Sequence, residues 1–277
     1  PADKAGLTTG DFLETIKGVA TRDMPLAYAQ LLLRGEPGST IDLSVLRRKP
    51  EPQKLTMTRA IVAWPNVESK MLADNIGYIK VPVLANGRVK EVSTAALALQ
   101  KQGAKRLVLD LRNCATGDPD EGVDLANLFI GNGVITWVEG QKVPKKTYMA
   151  DEKKMVSSLP LVVLTNHGTA AAAEIAAAAL QGDKRGTVVG ERTYGDAAIH
   201  RAITMEDGSA VILSVAKYYS PAGKAIQDTS VTPDELVVEP EPSIGDAEDD
   251  NAPEPAAVTK KSDDMILKKA IEIVQTK

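Results

Sequence analysis

Cysteine occurs once in the 277 residues, as Cys114, which excludes an internal disulfide and any multi-cysteine zinc cluster. Histidine occurs twice, as His167 and His200, too few to suggest an imidazole-built metal site. Neither a metal nor a cofactor is therefore expected. Long apolar runs are missing too: the apolar segments are short and interrupted, well below the roughly 20 residues that a membrane span needs. Positive charge is not in excess. With 33 Lys and Arg against 37 Asp and Glu the net charge is −4, so the chain lacks the cationic field that a nucleic-acid or anionic-membrane binder requires.

What is present is ordinary for a globular protein, 43% hydrophobic and 25% charged, with length for one large or two modest domains. Residues 1–61 read as a small β-rich module. "AGLTTGDFLETIKG" has glycines punctuating short alternating apolar positions, "PLAYAQLLLRG" has helical spacing, and "STIDLSVLRR" and "QKLTMTR" alternate again around a hairpin tip at "KPEPQ". Such a module suits partner binding. Residues 62–75, within "AWPNVESKMLADN", read as a linker.

From Ile76 to residue 238 the rhythm is that of a layered α/β core. "IGYIKVPVL", "KRLVLDLR", "VITWVEG" and "LPLVVLTN" read as strands, and "RVKEVSTAALALQKQG", "DEGVDLANLFI" and 169–181 as helices. "RAITMEDGSAVILSVAKYYS" reads as a hairpin turning at Asp207 and Gly208. Residues 239–261 form an acidic, proline-rich linker. Residues 262–277 then give a helix with Ser262 as N-cap and Ile266, Ala270, Ile273 and Val274 on the face that docks on the body.

The stretch "TNHGTAAAAEIAAAAL" has the shape in which enzymes often present a nucleophile, a buried strand turning through glycine into a helix, but holds alanine where Ser or Cys would stand. Cys114, in "LDLRNCATG", reads as a small residue at a strand end, not a reactive thiol. The alanine run also has a plain reading as an excellent helix former.

Five stretches in order resemble the C-terminal processing (tail-specific) serine peptidases, whose members carry a PDZ domain ahead of a crotonase/ClpP-like α/β core. "AGLTTGDFLETIKG" resembles the PDZ strand-turn-strand. "DLRNCATGDPDEGVDLANLFI" is similar to the segment usually written DLRxNxGG, and "TNHGTAAAAEIAAAAL" to the nucleophile segment. "VVGERTYGDAAIH" resembles VGExTFGKGxVQ, and "KYYSPAGKAIQDTSVTPDE" the motif Y-x-[ST]-P-x-G-x-x-I with its following V-x-PD. The resemblance implies an α/β protein with a partial PDZ-like domain followed by a peptidase-like core, and an exported location with the targeting segment outside this chain. It also places the loop that captures a substrate carboxylate ahead of Pro1.

Carried over residue by residue, the resemblance puts Ala171 at the nucleophile position, Asp196 at the general-base position and His200 at the orienting position. The glycine pair of the oxyanion hole becomes Thr116 and Gly117, leaving the amides of Gly117 and Ala172 as its candidates. A methyl group cannot be activated by any neighbour, and a carboxylate in place of a neutral lysine reverses the local charge. Because Thr116, Ala173, Asp196 and His200 differ as well as Ala171, natural loss of activity fits better than a single inactivating change. The expectation is a non-cleaving pseudoprotease binding peptide or protein C-termini or a partner protein, with a homo-oligomer possible. The alternative is an active serine-type endopeptidase seen in a mutated or variant form. A substitute constellation of Thr169, His200 and Asp196 has the right chemical types, although Thr169 reads first as the N-cap of helix 169–181 and His200 as a hydrogen-bonded strand residue. Glu174 and Thr193 also match family positions. Their plain readings are a helix-surface or ion-paired acid and a turn hydroxyl.

Overall fold

The structure, a computed structural model, describes residues 1–8, 11–47, 51–85, 87–205, 210–238 and 264–276, in two compact units divided after Ala63. The turn at Asp207 and Gly208, part of the "KPEPQ" tip, the acidic stretch from 239 and Ser262 lie outside the described residues.

The first unit is a four-stranded antiparallel sheet with one helix. Its strands are β1 (Phe12–Ile16), β2 (Val19–Ala20), β3 (Thr40–Leu46) and β4 (Gln53–Thr58), in the order β2-β1-β3-β4, and its helix is α1 (Leu26–Leu33). Ile16, Ile41, Leu43 and Val45 form its core, packed against Leu13, Ala29, Leu32 and Met57. Arg59 closes the helix end: its guanidinium donates to the carbonyls of Leu32 and Leu33, at 3.2 and 2.8 Å, satisfying acceptors that the last turn leaves open.

The second unit contains a six-stranded sheet in the order β14-β11-β10-β7-β6-β5, built from β5 (Glu68–Met71), β6 (Ile76–Lys80), β7 (Arg106–Asp110), β10 (Leu161–Thr165), β11 (Gly186–Gly190) and β14 (Glu235–Leu236). All its pairings are parallel except β5 against β6. β10, "LVVLT", is buried throughout, and its alternation serves two faces: Leu161 and Val163 join one core, Val162 and Leu164 the other. The first core is covered by helices α2 (Arg88–Lys101), α3 (Pro119–Asn127) and α4 (Ala172–Gly182). It also receives Ile135, Val138, Ala216 and Tyr218 from a second, antiparallel sheet of β8 (Val134–Gly140), β9 (Val143–Met149), β12 (Ala198–Thr204) and β13 (Ala210–Tyr219). A short helix, α5 (Ile226–Thr229), follows β13, and Ile226 is buried in the same core. The second core is closed by α6 (Met265–Gln275), whose Ile266, Ala270 and Val274 are buried against Ile76, Val108, Val162 and Val189.

Three local expectations are corrected. Residues 68–71, read within a linker, form edge strand β5, with Glu68 opposite Lys80. β9 was not foreseen, because "VPKKTYM" does not alternate; an edge strand tolerates its proline and displays its lysines to water. The cap of α6 is Asp264, whose carboxylate accepts from the Leu267 amide at 2.8 Å.

Asp264 also fixes the helix laterally. The Arg112 guanidinium donates to both of its oxygens at 2.8 Å and, on its other side, to Asp110 at 2.6 Å. The Tyr78 hydroxyl donates to Asp110 at 2.6 Å, and burial pushes the phenol's pKa well up. Asp110 and Arg112 are nearly inaccessible, 1% and 12% exposed, so removing one partner leaves the others poorly satisfied. Replacing Asp264 by Ala is expected to lower stability by about 2 kcal/mol in urea unfolding, from the lost cap and ion pair together. It should also raise amide exchange in α6 above that in β10. A loss below about 0.5 kcal/mol would mean that the apolar face alone holds the helix.

Candidate active site

The site forms where the chain leaves the C-terminal ends of β7 and β10, the usual place for ligands on a parallel sheet. Beyond β10 the chain runs through Asn166–Ala170 to Ala171 and into α4. Beyond β7 it runs through Arg112–Gly117. Two asparagines stitch these loops together: the Asn113 amide donates to the Asn166 side-chain oxygen at 2.9 Å, and Asn166 Nδ2 donates back to Asn113 Oδ1 at 3.0 Å. A side chain at Gly168 would meet that Asn113 oxygen at 2.6 Å.

Ala171 has φ 52° and ψ −115°, a conformation that costs a non-glycine residue on the order of 1–3 kcal/mol. A sharp strand-to-helix elbow of this kind can lift a side chain clear of a sheet, and here that side chain is a methyl. Next to it the Gly117 and Ala172 backbones approach closely: a Cβ on Gly117 would lie 3.0 Å from the Ala172 Cβ and 2.6 Å from that of Leu84. Among the described residues, neither the Gly117 nor the Ala172 amide has a hydrogen-bond acceptor. The alanine run is a packing device as well as a helix former. Ala172 through Leu180 are all buried, and a Cβ on Gly122 of α3 would lie 2.3 Å from the Ala172 carbonyl oxygen.

Glu174, fully buried, binds the two halves of the site. Its Oε2 accepts from the amides of Ala171 at 3.0 Å and Asp196 at 2.8 Å. Its Oε1 accepts from the Thr193 hydroxyl at 2.5 Å and the Gly195 amide at 2.7 Å. Burial pushes this carboxyl above the ordinary glutamate range, and the four donors pull in the opposite direction. It is neither on the helix surface nor ion-paired with any described residue. Thr193 is buried rather than a simple turn hydroxyl, and its oxygen also accepts from the Val231 amide at 2.8 Å.

Asp196 and His200 come together, with Nε2 to Oδ1 at 3.4 Å and the side chains 46% and 37% exposed. His200 sits in β12 opposite Ser214, next to a register shift. Thr169 is placed differently from its reading as an N-cap. α4 begins at Ala172, and the Thr169 hydroxyl is fully buried, donating to the Leu111 carbonyl at 2.9 Å and accepting from the Asn166 amide at 3.1 Å. Those bonds commit it to the main chain. His167 is exposed in the turn. Cys114 is buried, and burial pushes its thiol up to about 12, so it remains protonated near neutral pH. Sequence reasoning missed the Asn113–Asn166 stitch, which has no periodic signature. The role of Glu174 had one signal, its position three residues after the elbow, the spacing of a capping box.

Residues 75–237 match the model of peptidase family S41, and the chain belongs to that family. It is 34% identical over 245 residues to the carboxyl-terminal-processing protease of Synechocystis, covering 87% of this chain and 57% of that protein. It is likewise 34% identical over 234 residues to the carboxy-terminal processing protease CtpA of Bacillus subtilis, covering 84% and 50%. Among solved structures it is similar to the photosystem II D1 C-terminal processing protease, with TM-score 0.70 and 32% identity over 86% of this chain and 65% of that one. The chain thus spans little more than half the length of the curated relatives it matches.

Replacing Glu174 by Gln tests the clamp. Whichever way the amide turns, its NH2 faces at least one backbone N–H, so the exchange should cost about 2–4 kcal/mol in equilibrium unfolding and expose the 193–196 amides to exchange. Near-neutral behaviour would show that the carboxylate is not what joins Ala171 to Asp196.

Proposed function

We propose that this chain is a non-cleaving member of the family that binds the C-terminal segments of peptides or proteins. The observation that carries this reading is Ala171 on a strained elbow, with Asp196 tied to the same glutamate oxygen. A methyl has no lone pair to deliver. A carboxylate at the adjacent position disfavours a developing oxyanion. The amides of Gly117, in the loop beyond β7, and of Ala172, at the start of α4, have no acceptor among the described residues and supply donors for a carbonyl, but oxyanion stabilisation alone leaves on the order of 10³-fold rate enhancement, too little for a working peptidase. Residues 1–61, as a partial PDZ-like unit, supply a sheet on which a peptide adds as a strand. The proteins similar to this chain are named for carboxyl-terminal processing, and two are named as chloroplastic. That kinship supports an exported setting for this chain.

The intact elbow favours a second reading, a serine-type endopeptidase of which this sequence is an altered form, because the strain persists with no nucleophile to present. One experiment tests the non-cleaving reading. A library of C-terminal peptides is incubated with the unaltered chain and with the double variant Ala171→Ser, Asp196→Lys, and scored for retention and for new termini. The expected result is retention without cleavage for the chain, and hydrolysis only for the double variant. Cleavage by the unaltered chain overturns the non-cleaving reading.

A further inference from the structure

Tyr194 is an aromatic side chain 67% exposed on a segment whose main chain is held at every step. The Thr193 hydroxyl and the amides of Gly195 and Asp196 bond to Glu174, and the Tyr194 amide donates to the Thr169 carbonyl at 2.9 Å, two residues before the elbow. A large ring kept in water on a fixed backbone has little further entropy to lose on binding, which is the character of an interface anchor. Two residues on stands the half-exposed Asp196 carboxylate. Among the described residues no lysine or arginine pairs with it. His200 Nε2 lies 3.4 Å from its Oδ1, and the neighbouring Arg192 guanidinium donates to the Thr229 carbonyl at 3.1 Å.

We propose that Tyr194 and Asp196 form a receptor for an arginine or lysine side chain of the bound peptide, the cationic group meeting the ring and the carboxylate together. The proposal rests on the reading of this site as a peptide binder. The choice of ligand follows from the two groups. An apolar side chain would satisfy the ring but strip water from the carboxylate without replacing it. An acidic one would be repelled by Asp196. A cation on a hydrocarbon stem suits both, and arginine suits them best, since a guanidinium stacks on a ring while its N–H groups reach a carboxylate.

The test uses the whole chain and fluorescence polarisation with labelled C-terminal peptides that differ at one position, carrying arginine, citrulline, leucine or glutamate there. Citrulline keeps the shape of arginine without its charge. The arginine peptide is expected to bind about 10-fold tighter than its citrulline counterpart at moderate salt. Asp196→Asn should remove most of that preference while leaving citrulline binding in place. Tyr194→Ala should weaken the arginine and citrulline peptides alike, with folding of both variants checked by circular dichroism. Retention of peptides with no preference for arginine overturns the receptor alone, as does a preference that survives Asp196→Asn. Retention of none overturns both the receptor and the binding reading.

Discussion

One buried carboxylate organises this site. Glu174 takes all four of its hydrogen bonds from neutral donors, three of them backbone amides. Those donors come from two separate stretches, the elbow at the head of α4 and the loop that follows β11. An acid in a core of alanines would be a liability if left unsatisfied. Satisfied this fully, it fixes the relative position of segments that are more than twenty residues apart in the chain. The placement of Ala171, Tyr194 and Asp196 all descends from that arrangement.

Ala171 keeps an unfavourable backbone conformation because its surroundings over-determine it. Glu174 holds its amide, the Asn113–Asn166 pair pins the loop before it, and Gly122 lets α3 press against the next residue. None of these contacts depends on the side chain at 171. Chemistry and scaffold are therefore separable here: a hydroxyl can be exchanged for hydrogen without disturbing the bonds that hold the main chain.

Much of the core could be read from the chain alone, for a physical reason. Buried parallel strands such as "LVVLT" are uniformly apolar, and the helices between them keep a clean period, so α2, β8 and β10 emerge from pattern. Strands at sheet edges lack that constraint, which is why β5 reads as linker and β9 gives no strand signal. At the site, ordered motifs single out Ala171, Asp196, His200, Gly117 and Ala172 as candidates, and the structure sets Asp196 beside His200 and Gly117 beside Ala172. The buried state of Thr169 was not legible. An N-cap and a buried hydroxyl bonded to main chain look alike in sequence, since both are a threonine shortly before a helix.

The position of α6 has a consequence for how the molecule is made. The face of the sheet formed by Ile76, Tyr78, Val108, Val162, Leu164 and Val189 is covered by α6, which reaches Arg112 from 152 residues away. During synthesis this apolar face is complete, yet bare, until residues 264–276 leave the ribosome. The nascent protein must therefore pass through a stage in which one face of its sheet is bare, and chaperone demand should track the delay before α6 arrives.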